Sequence, residues 1–254
     1  MKLEHILKSM EIVSILGPKD VEIKGLEYDS RNVKKDELFV CINGTNVDGH
    51  NFIECAKQKG AVAFLIDKSV EKDDGFTYIK VKNTNDVLSI LSKNFYENPS
   101  EKLNLIGVTG TNGKTSVATF LKEILSKEAP CGFIGTTGIY DGKNYYDNKN
   151  TTPNNMEIQK NLSRMYENNC KYCVMEVSSH ALSLKRVEKI TGKTLKFYKG
   201  DIADKELMDK ILTENDIYAV IHFAGLKAVG ESVQKPLEYY TNNISGTLAM
   251  CDVM

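Results

Sequence analysis

Apolar and polar positions alternate in a regular way along the first hundred residues. Leu38 to Ile42 (LFVCI) and Ala61 to Ile66 (AVAFLI) are unbroken apolar runs of strand length, the pattern of strands covered on both faces. Between them, HNFIECAKQKG sets Phe52, Ile53 and Ala56 on one helical face with Cys55 at its margin, and Gly60 is a natural stop. Val87, Leu88, Leu91 and Phe95 recur at helical spacing and predict a helix over about Asn85 to Glu97. Asn98-Pro99-Ser100 follows. A residue before proline is pushed out of the α region, so this tripeptide predicts a linker between a first domain, 1–99, and a second that starts at 100.

The stretch LNLIGVTGTNGKTSVATFLKEIL reads as strand, glycine-rich loop and helix, with Val117, Phe120, Leu121, Ile124 and Leu125 predicted to form one buried helical face. GFIGTTG predicts a second short strand, then come a helix near Met156 to Asn168 and the strand YCVMEV. Such alternation predicts a parallel sheet flanked by helices. From about Glu188 the grammar repeats. TLKFYKGD and YAVIHF read as strands, Leu207, Met208, Ile211 and Leu212 mark a helix between them, and another helix begins near Lys235. The sequence reaches Met254 within that helix, an unexpected place for a domain to finish.

Charge adds little: 33 Lys and Arg against 34 Asp and Glu, with no long run of one sign, give no footing for nucleic acid. The N-terminus mixes charges into its apolar residues, unlike a signal peptide. The longest apolar run, Ala61 to Ile66, falls far short of the ~20 residues that span a bilayer. A cytoplasmic chain without membrane contact is expected. Cys170-x-x-Cys173 is one pair without a second at zinc spacing, and Cys173 sits in an apolar strand, so a buried structural thiol is the expectation.

The strongest chemical signal is Gly110-Thr111-Asn112-Gly113-Lys114-Thr115-Ser116. Glycines let backbone N–H groups approach a phosphate chain, and a helix N-terminus favours anions. Lys114 would face the outer phosphates, and the Thr115 hydroxyl suits Mg²⁺. The strict phosphate-loop pattern wants glycine at 108, where this chain has Val108; the plainer alternative is a glycine turn capping a helix. Gly107, Gly110 and Gly113, and again Gly132, Gly135 and Gly138, share the spacing of some dinucleotide sites. Lys114-Thr115 favours a mononucleotide loop in the first, and the second runs into a strand and turn. Glu176 ends an apolar strand and is a candidate second Mg²⁺ contact.

These residues carry a resemblance. VTGTNGKTS, Asn150-Thr151-Thr152-Pro153 and MEVSSHAL, preceded by YDSRNVKKDELFVCINGTNVDGHNFI, resemble the Mur ligases of peptidoglycan synthesis, specifically the MurE-type UDP-N-acetylmuramyl-tripeptide synthetases. The likeness runs from about residue 20 to Arg186. It implies that Tyr28, Ser30, Thr45, Asn46 and Val47 face the UDP-sugar and that residues 110–116 hold ATP, with Lys114 catalytic. It further implies that Thr115 and Glu176 lie near Mg²⁺, and that Asn150, Thr151, Thr152, Ser178 and Arg186 contact the muramyl-peptide. Leu184 stands where many members have Gln. The implied substrates are ATP and UDP-N-acetylmuramyl-dipeptide, and the implied reaction forms an acyl phosphate that an amino acid's amine displaces.

From about Glu188 the sequence resembles UDP-glucose 4-epimerase instead, through HFAGLKAVGESVQKPLEYY. That likeness would put Asp201 and Ile202 by the adenine of NAD, Phe223, Ala224, Gly225, Leu226 and Lys227 along it, and Asn242 near its nicotinamide. Neither the glycine-rich NAD loop nor the Tyr-x-x-x-Lys pair of that family is present, so NAD binding is expected only if this fragment were completed. The expected fold class is α/β: an N-terminal UDP-sugar-binding domain (1–99), a partial P-loop parallel-sheet domain (100–187) and a partial Rossmann-like fragment (188–254). The ligase likeness also implies a C-terminal acceptor domain that the sequence does not show, so ligase turnover is expected to be near zero. The alternatives are a non-catalytic nucleotide- and UDP-sugar-binding chimera and an epimerase fragment. No oligomeric state follows from the sequence.

Overall fold

The computed structural model describes all residues except 44–46, 111–112, 149, 179–180, 182–187, 189, 191, 195, 197, 216, 218–219, 221, 223–224 and 227. The chain divides into two compact units, Met1–Lys193 and Thr194–Met254.

The first unit holds two sheets. Strands β1 (Ile12–Leu16), β2 (Gly25–Glu27), β3 (Glu37–Val40), β4 (Ala61–Ile66) and β5 (Thr77–Val81) form one, in the order β1-β5-β4-β3-β2. Pairing is parallel from β2 to β5, and β1 closes the edge antiparallel to β5. Alternate residues bury opposite faces, as the period of two requires. Leu38, Val40, Ala63 and Leu65 pack under helices α1 (Leu3–Ile6) and α3 (Thr84–Phe95). Phe39, Phe64 and Tyr78 pack on the other face with Ile53 and Ala56 of α2 (Ile53–Gln58). Each such aromatic or aliphatic side chain contributes about 1.5–3 kcal/mol on burial.

The sequence reading needs adjustment here. A 3-10 turn, Gly49–Phe52, precedes α2 and turns Phe52 outward, 39% exposed, so only Ile53 and Ala56 are buried from that predicted face. Nor is Asn98-Pro99-Ser100 an exposed linker. Pro99 and Ser100 are buried, and Pro99 opens the short helix α4 (Pro99–Lys102), where a missing N–H costs nothing.

The second sheet comprises β6 (Asn104–Val108), β7 (Cys131–Gly135), β8 (Gly138–Tyr140), β9 (Tyr145–Tyr146) and β10 (Tyr172–Glu176), ordered β6-β10-β7-β8-β9. Only β6, β10 and β7 are parallel; β8 and β9 run antiparallel, a correction to the expected parallel sheet. Thr136-Thr137 is too short to cross over, so the chain can only return as a hairpin. Helix α5 (Lys114–Leu125) covers one face and α6 (Asn155–Glu167) the other, burying Ile158, Leu162 and Met165 against Cys173 and Met175. On α5 the predicted face is rotated. Ala118 is buried with Val117, Leu121 and Leu125 beside it, while Phe120 and Ile124 are 66% and 65% exposed. The phase of the helix is set by how the loop enters it, and the small Ala118 takes the closest approach to the sheet.

The second unit contains α7 (Lys205–Glu214), α8 (Val229–Gln234), α9 (Pro236–Tyr240), a π turn (Thr241–Ser245) and α10 (Gly246–Val253). The described residues of 194–201 and 218–223 are not in strands, contrary to expectation. Strand backbone needs a paired neighbour, and no sheet forms among the described residues of this unit. Among the described residues no helix is long and apolar enough to cross a membrane.

Candidate functional site

The glycine-rich loop joins β6 to α5. Gly113 stands directly before α5 at φ +75°, in the left-handed region that a side chain disfavours. Lys114 opens the helix, and its Nζ donates to the Gly110 carbonyl at 2.7 Å. One residue on, the Thr115 hydroxyl donates to Glu176 Oε2 at 2.9 Å. Ser116 is exposed in the same first turn. Thr111 and Asn112 lie outside the described residues.

Glu176 is the last residue of β10 and is fully buried. The strand order explains its place: β10 lies beside β6, so its C-terminal end emerges next to the loop that β6 launches. Thr136, immediately after β7, donates its N–H to Glu176 Oε1 at 2.9 Å and its hydroxyl to Oε2 at 3.2 Å. Gly135 makes room for this carboxylate, because a Cβ there would stand 2.3 Å from Oε1. The Thr151 hydroxyl is 3.1 Å from that of Thr136. Buried Thr152 donates to the Glu176 carbonyl at 2.9 Å and accepts the Ser178 N–H at 3.0 Å.

Thr115, Thr151, Thr152, Glu176 and Ser178, drawn from three separate stretches of sequence, thus meet at one end of β10. The donor set is chemically suited to a Mg²⁺–triphosphate: hydroxyl and carboxylate oxygens for a hard cation, and an ammonium with a helix N-terminus for the phosphates. Thr136 and Gly135 escaped the sequence reading. Their only signal was the Gly132, Gly135, Gly138 spacing, which resembled a dinucleotide turn and serves instead to bring Thr136 to the carboxylate.

Tyr28, Ser30 and Val47 line one cavity of about 650 Å³, together with Phe52, Asn85 and Leu88. Thr45 and Asn46 lie outside the described residues. The Tyr28 hydroxyl donates to Glu157 Oε1 of α6 at 2.6 Å. Burial, and then this bond, push its pKa far above that of an ordinary phenol. Sequence alone gave no sign of Glu157, which lies 129 positions away. Tyr28 also borders a second cavity of about 290 Å³ with Asn148, Asn150, Lys160 and Arg164. Asn148 donates to the Gly135 carbonyl at 2.9 Å, so this second cavity reaches back to the Glu176 cluster. Arg186 and Leu184 lie outside the described residues. Cys170 and Cys173 are buried, and burial pushes both thiols up.

In the second unit, Asp201 Oδ1 accepts the Ala203 N–H at 2.9 Å, and Ile202 packs where a Cβ on Gly246 would stand 2.6 Å away. Asn243 accepts the Leu226 N–H at 2.7 Å and donates back to its carbonyl at 2.8 Å. Asn242 donates to Asn243 at 2.9 Å, and Asn243 holds the Leu226 backbone. Phe223, Ala224 and Lys227 lie outside the described residues.

A parallel strand, a glycine-rich loop, a helix and a carboxylate on the neighbouring strand have the arrangement of a nucleotide-phosphate site on an α/β sheet. Comparison with known proteins narrows the class. Residues 22–96 match the Mur ligase family, catalytic domain, and residues 108–197 match the Mur ligase middle domain. Residues 161–254 match GDP-mannose 4,6 dehydratase. The chain is 44% identical over 194 residues to the UDP-N-acetylmuramoyl-L-alanyl-D-glutamate--2,6-diaminopimelate ligase of Clostridioides difficile (strain 630), covering 76% of this chain and 40% of that relative. It is 44% identical over 191 residues to the enzyme of the same name from Clostridium tetani (strain Massachusetts / E88), covering 74% and 39%. The chain therefore spans about two fifths of the length of these curated relatives. A solved structure of a UDP-N-acetylmuramoyl-L-alanyl-D-glutamate--2,6-diaminopimelate ligase superposes with a TM-score of 0.58 at 21% identity, over 97% of this chain and 51% of that one, a likeness of fold.

Proposed function

We propose that this chain supplies the ATP and UDP-sugar sites of a ligase that extends UDP-N-acetylmuramoyl-L-alanyl-D-glutamate by an amino acid, 2,6-diaminopimelate in the relatives' names. The observation that carries the reading is the convergence of Thr115 and Thr136 on Glu176, with Thr151 on Thr136 and Lys114 next to Thr115 in the chain, and a cavity lined by Tyr28, Ser30 and Val47 in the same unit. In this reading the substrate's terminal carboxylate attacks the γ-phosphorus of ATP, and ADP leaves. The amine then attacks the acyl carbon, inorganic phosphate departs, and the amine's proton is lost to solvent. Lys114 offsets charge on the transferring phosphoryl group, the task that dominates such reactions. Thr115 and Glu176 would hold Mg²⁺, which would supply further positive charge to the phosphate chain. Asn150, Thr151, Thr152 and Ser178 would orient the muramyl-peptide, keeping its carboxylate in line with the γ-phosphate.

Calorimetric titration of the full chain tests this. Saturable heats are expected with Mg²⁺-ATP and, separately, with UDP-N-acetylmuramoyl-L-alanyl-D-glutamate, and Lys114→Ala should abolish the first while sparing the second. Flat titrations with both at millimolar ligand would overturn the reading. Phosphate release on adding 2,6-diaminopimelate measures how far the reaction then proceeds.

A further inference from the structure

His50 is a buried ring that the nucleotide site does not use. It lies in the Gly49–Phe52 turn with its side chain 6% exposed. Nδ1 is 2.6 Å from Asp48 Oδ1, and Nε2 is 3.2 Å from the backbone nitrogen of Asp67. A backbone N–H can only donate, so Nε2 accepts, and the network assigns the proton to Nδ1, which donates to Asp48. That assignment leaves Asp67 Oδ1, 3.4 Å from Nε2, without a donor. It is one of the few buried side-chain oxygens among the described residues that lack a hydrogen-bond partner.

Asp48 is anchored from several directions. Its Oδ1 also accepts the His50 N–H at 3.0 Å, and Oδ2 takes Lys68 Nζ at 2.5 Å. Lys68, and then His50, hold its carboxyl well below the usual carboxylate range. On the far side, Asp67 Oδ2 accepts the Thr84 N–H at 3.1 Å, where α3 begins. Val47, Gly49 and Phe52 line the 650 Å³ cavity from the turn, and Asn85 and Leu88 line it from α3. His50 therefore stands between two walls of that cavity and is bonded towards each.

We infer that His50 is a positioning residue for the UDP-sugar cavity. Asp48 fixes the orientation of the ring, and through Nε2, which accepts the Asp67 N–H, His50 holds the Val47–Phe52 wall in register with Asn85 and Leu88. The inference rests on the proposed function of that cavity. An aliphatic side chain fills the space but leaves the Asp67 N–H without its acceptor. A glutamine at 50 can set its amide oxygen near the place of Nε2, whereas an asparagine amide reaches only the place of Nδ1 and leaves the Asp67 N–H without its acceptor. Asp48 keeps Lys68 and the backbone N–H of residue 50 in both.

The test is titration of the full chain and its variants with UDP-N-acetylmuramoyl-L-alanyl-D-glutamate, with Mg²⁺-ATP titrated alongside. His50→Leu is expected to weaken UDP-sugar affinity about tenfold, the size of one N–H left without its acceptor, with ATP affinity unchanged. His50→Gln should stay within about threefold of the parent chain, on the same hydrogen-bond bookkeeping. If His50→Leu lacks a cooperative melt, His50→Asn takes its place with the same expected loss. Parent-like affinity in the Leu or Asn variant overturns the inference, and so does a Gln variant as weak as Leu or an equal fall in ATP affinity. A parent chain that binds Mg²⁺-ATP but not the UDP-sugar overturns instead the reading of the cavity.

Discussion

Glu176→Gln separates what Glu176 does for the fold from what it does for a cation, because it removes charge at nearly constant shape. Three donors end on the carboxylate: the Thr115 hydroxyl at 2.9 Å, the Thr136 N–H at 2.9 Å and the Thr136 hydroxyl at 3.2 Å. A hydrogen bond to a charged acceptor contributes about 1.5–3 kcal/mol, and a neutral one about 0.5–1.5 kcal/mol. Glutamine keeps one oxygen for the Thr136 N–H and turns its amide towards the hydroxyls, which can accept. The loss is about 1 kcal/mol per bond, roughly 3 kcal/mol together. Against it stands the desolvation of a buried charge, several kcal/mol, which the amide does not incur. Glu176 is 0% exposed, so that relief applies in full. The two nearly cancel, and folding stability should change by less than about 2 kcal/mol, a few degrees in Tm.

A bound divalent cation receives no such offset when an anionic oxygen near it is lost. ATP affinity with Mg²⁺ should fall about 30-fold, equivalent to about 2 kcal/mol, while ATP affinity in EDTA, resting on the loop and Lys114, stays within about twofold. The assay is a pair of titrations, with and without Mg²⁺, beside a thermal melt. An unchanged Mg²⁺-dependent affinity, or an equal fall in both titrations, would refute the cation role.

Three further predictions follow from other parts of the first unit. Gly135→Ala sets a Cβ 2.3 Å from Glu176 Oε1 and 2.6 Å from the Phe133 ring, so it should destabilise by about 1–3 kcal/mol and weaken Mg²⁺-ATP by about tenfold; a parent-like melt and titration would show that the carboxylate moves freely. Asp141 is 2% exposed; burial alone would raise its pKa, but the N–H groups of Asn144 and Lys143 and the Tyr146 hydroxyl outweigh it and hold the carboxyl below its ordinary value. Its stabilising contribution is therefore complete above the unfolded pKa of about 3.9 and is lost as pH falls through the folded value. Denaturant unfolding between pH 6 and pH 2 should show a shallower acid limb in Asp141→Asn; limbs of equal slope would contradict it. Phe120→Gln and Ile124→Gln should each shift stability by no more than about 0.5 kcal/mol, where a buried position would cost about 2–5 kcal/mol, and denaturant midpoints decide between them.

Much of the local structure is written in short-range pattern. Two apolar runs become β3 and β4, and the spacing of Val87, Leu88 and Leu91 becomes α3, because covering both faces of a sheet requires those periods. The glycine loop and the carboxylate at the end of β10 were readable for a similar reason. Phosphate and cation chemistry demands particular residues at a strand-to-helix turn, and such a turn is local. By itself the sequence determined these elements and the kind of chemistry that Lys114, Thr115 and Glu176 can do.

What it left open depends on contacts between distant segments. That β10 inserts between β6 and β7 is a matter of topology, and it alone brings Thr136 to Glu176 across 40 positions. The pairing of Tyr28 with Glu157, and the wedge of His50 between Asp48 and Asp67, arise from packing of whole elements. The phase of α5 was likewise fixed by the sheet beneath it, which took Ala118 inward and left Phe120 outside. Periodicity states that a helix has an apolar face. Which edge of that face meets the sheet is decided only when the closest-packed fit is found, because dispersion contacts decay within an ångström and no spacing along the chain records them.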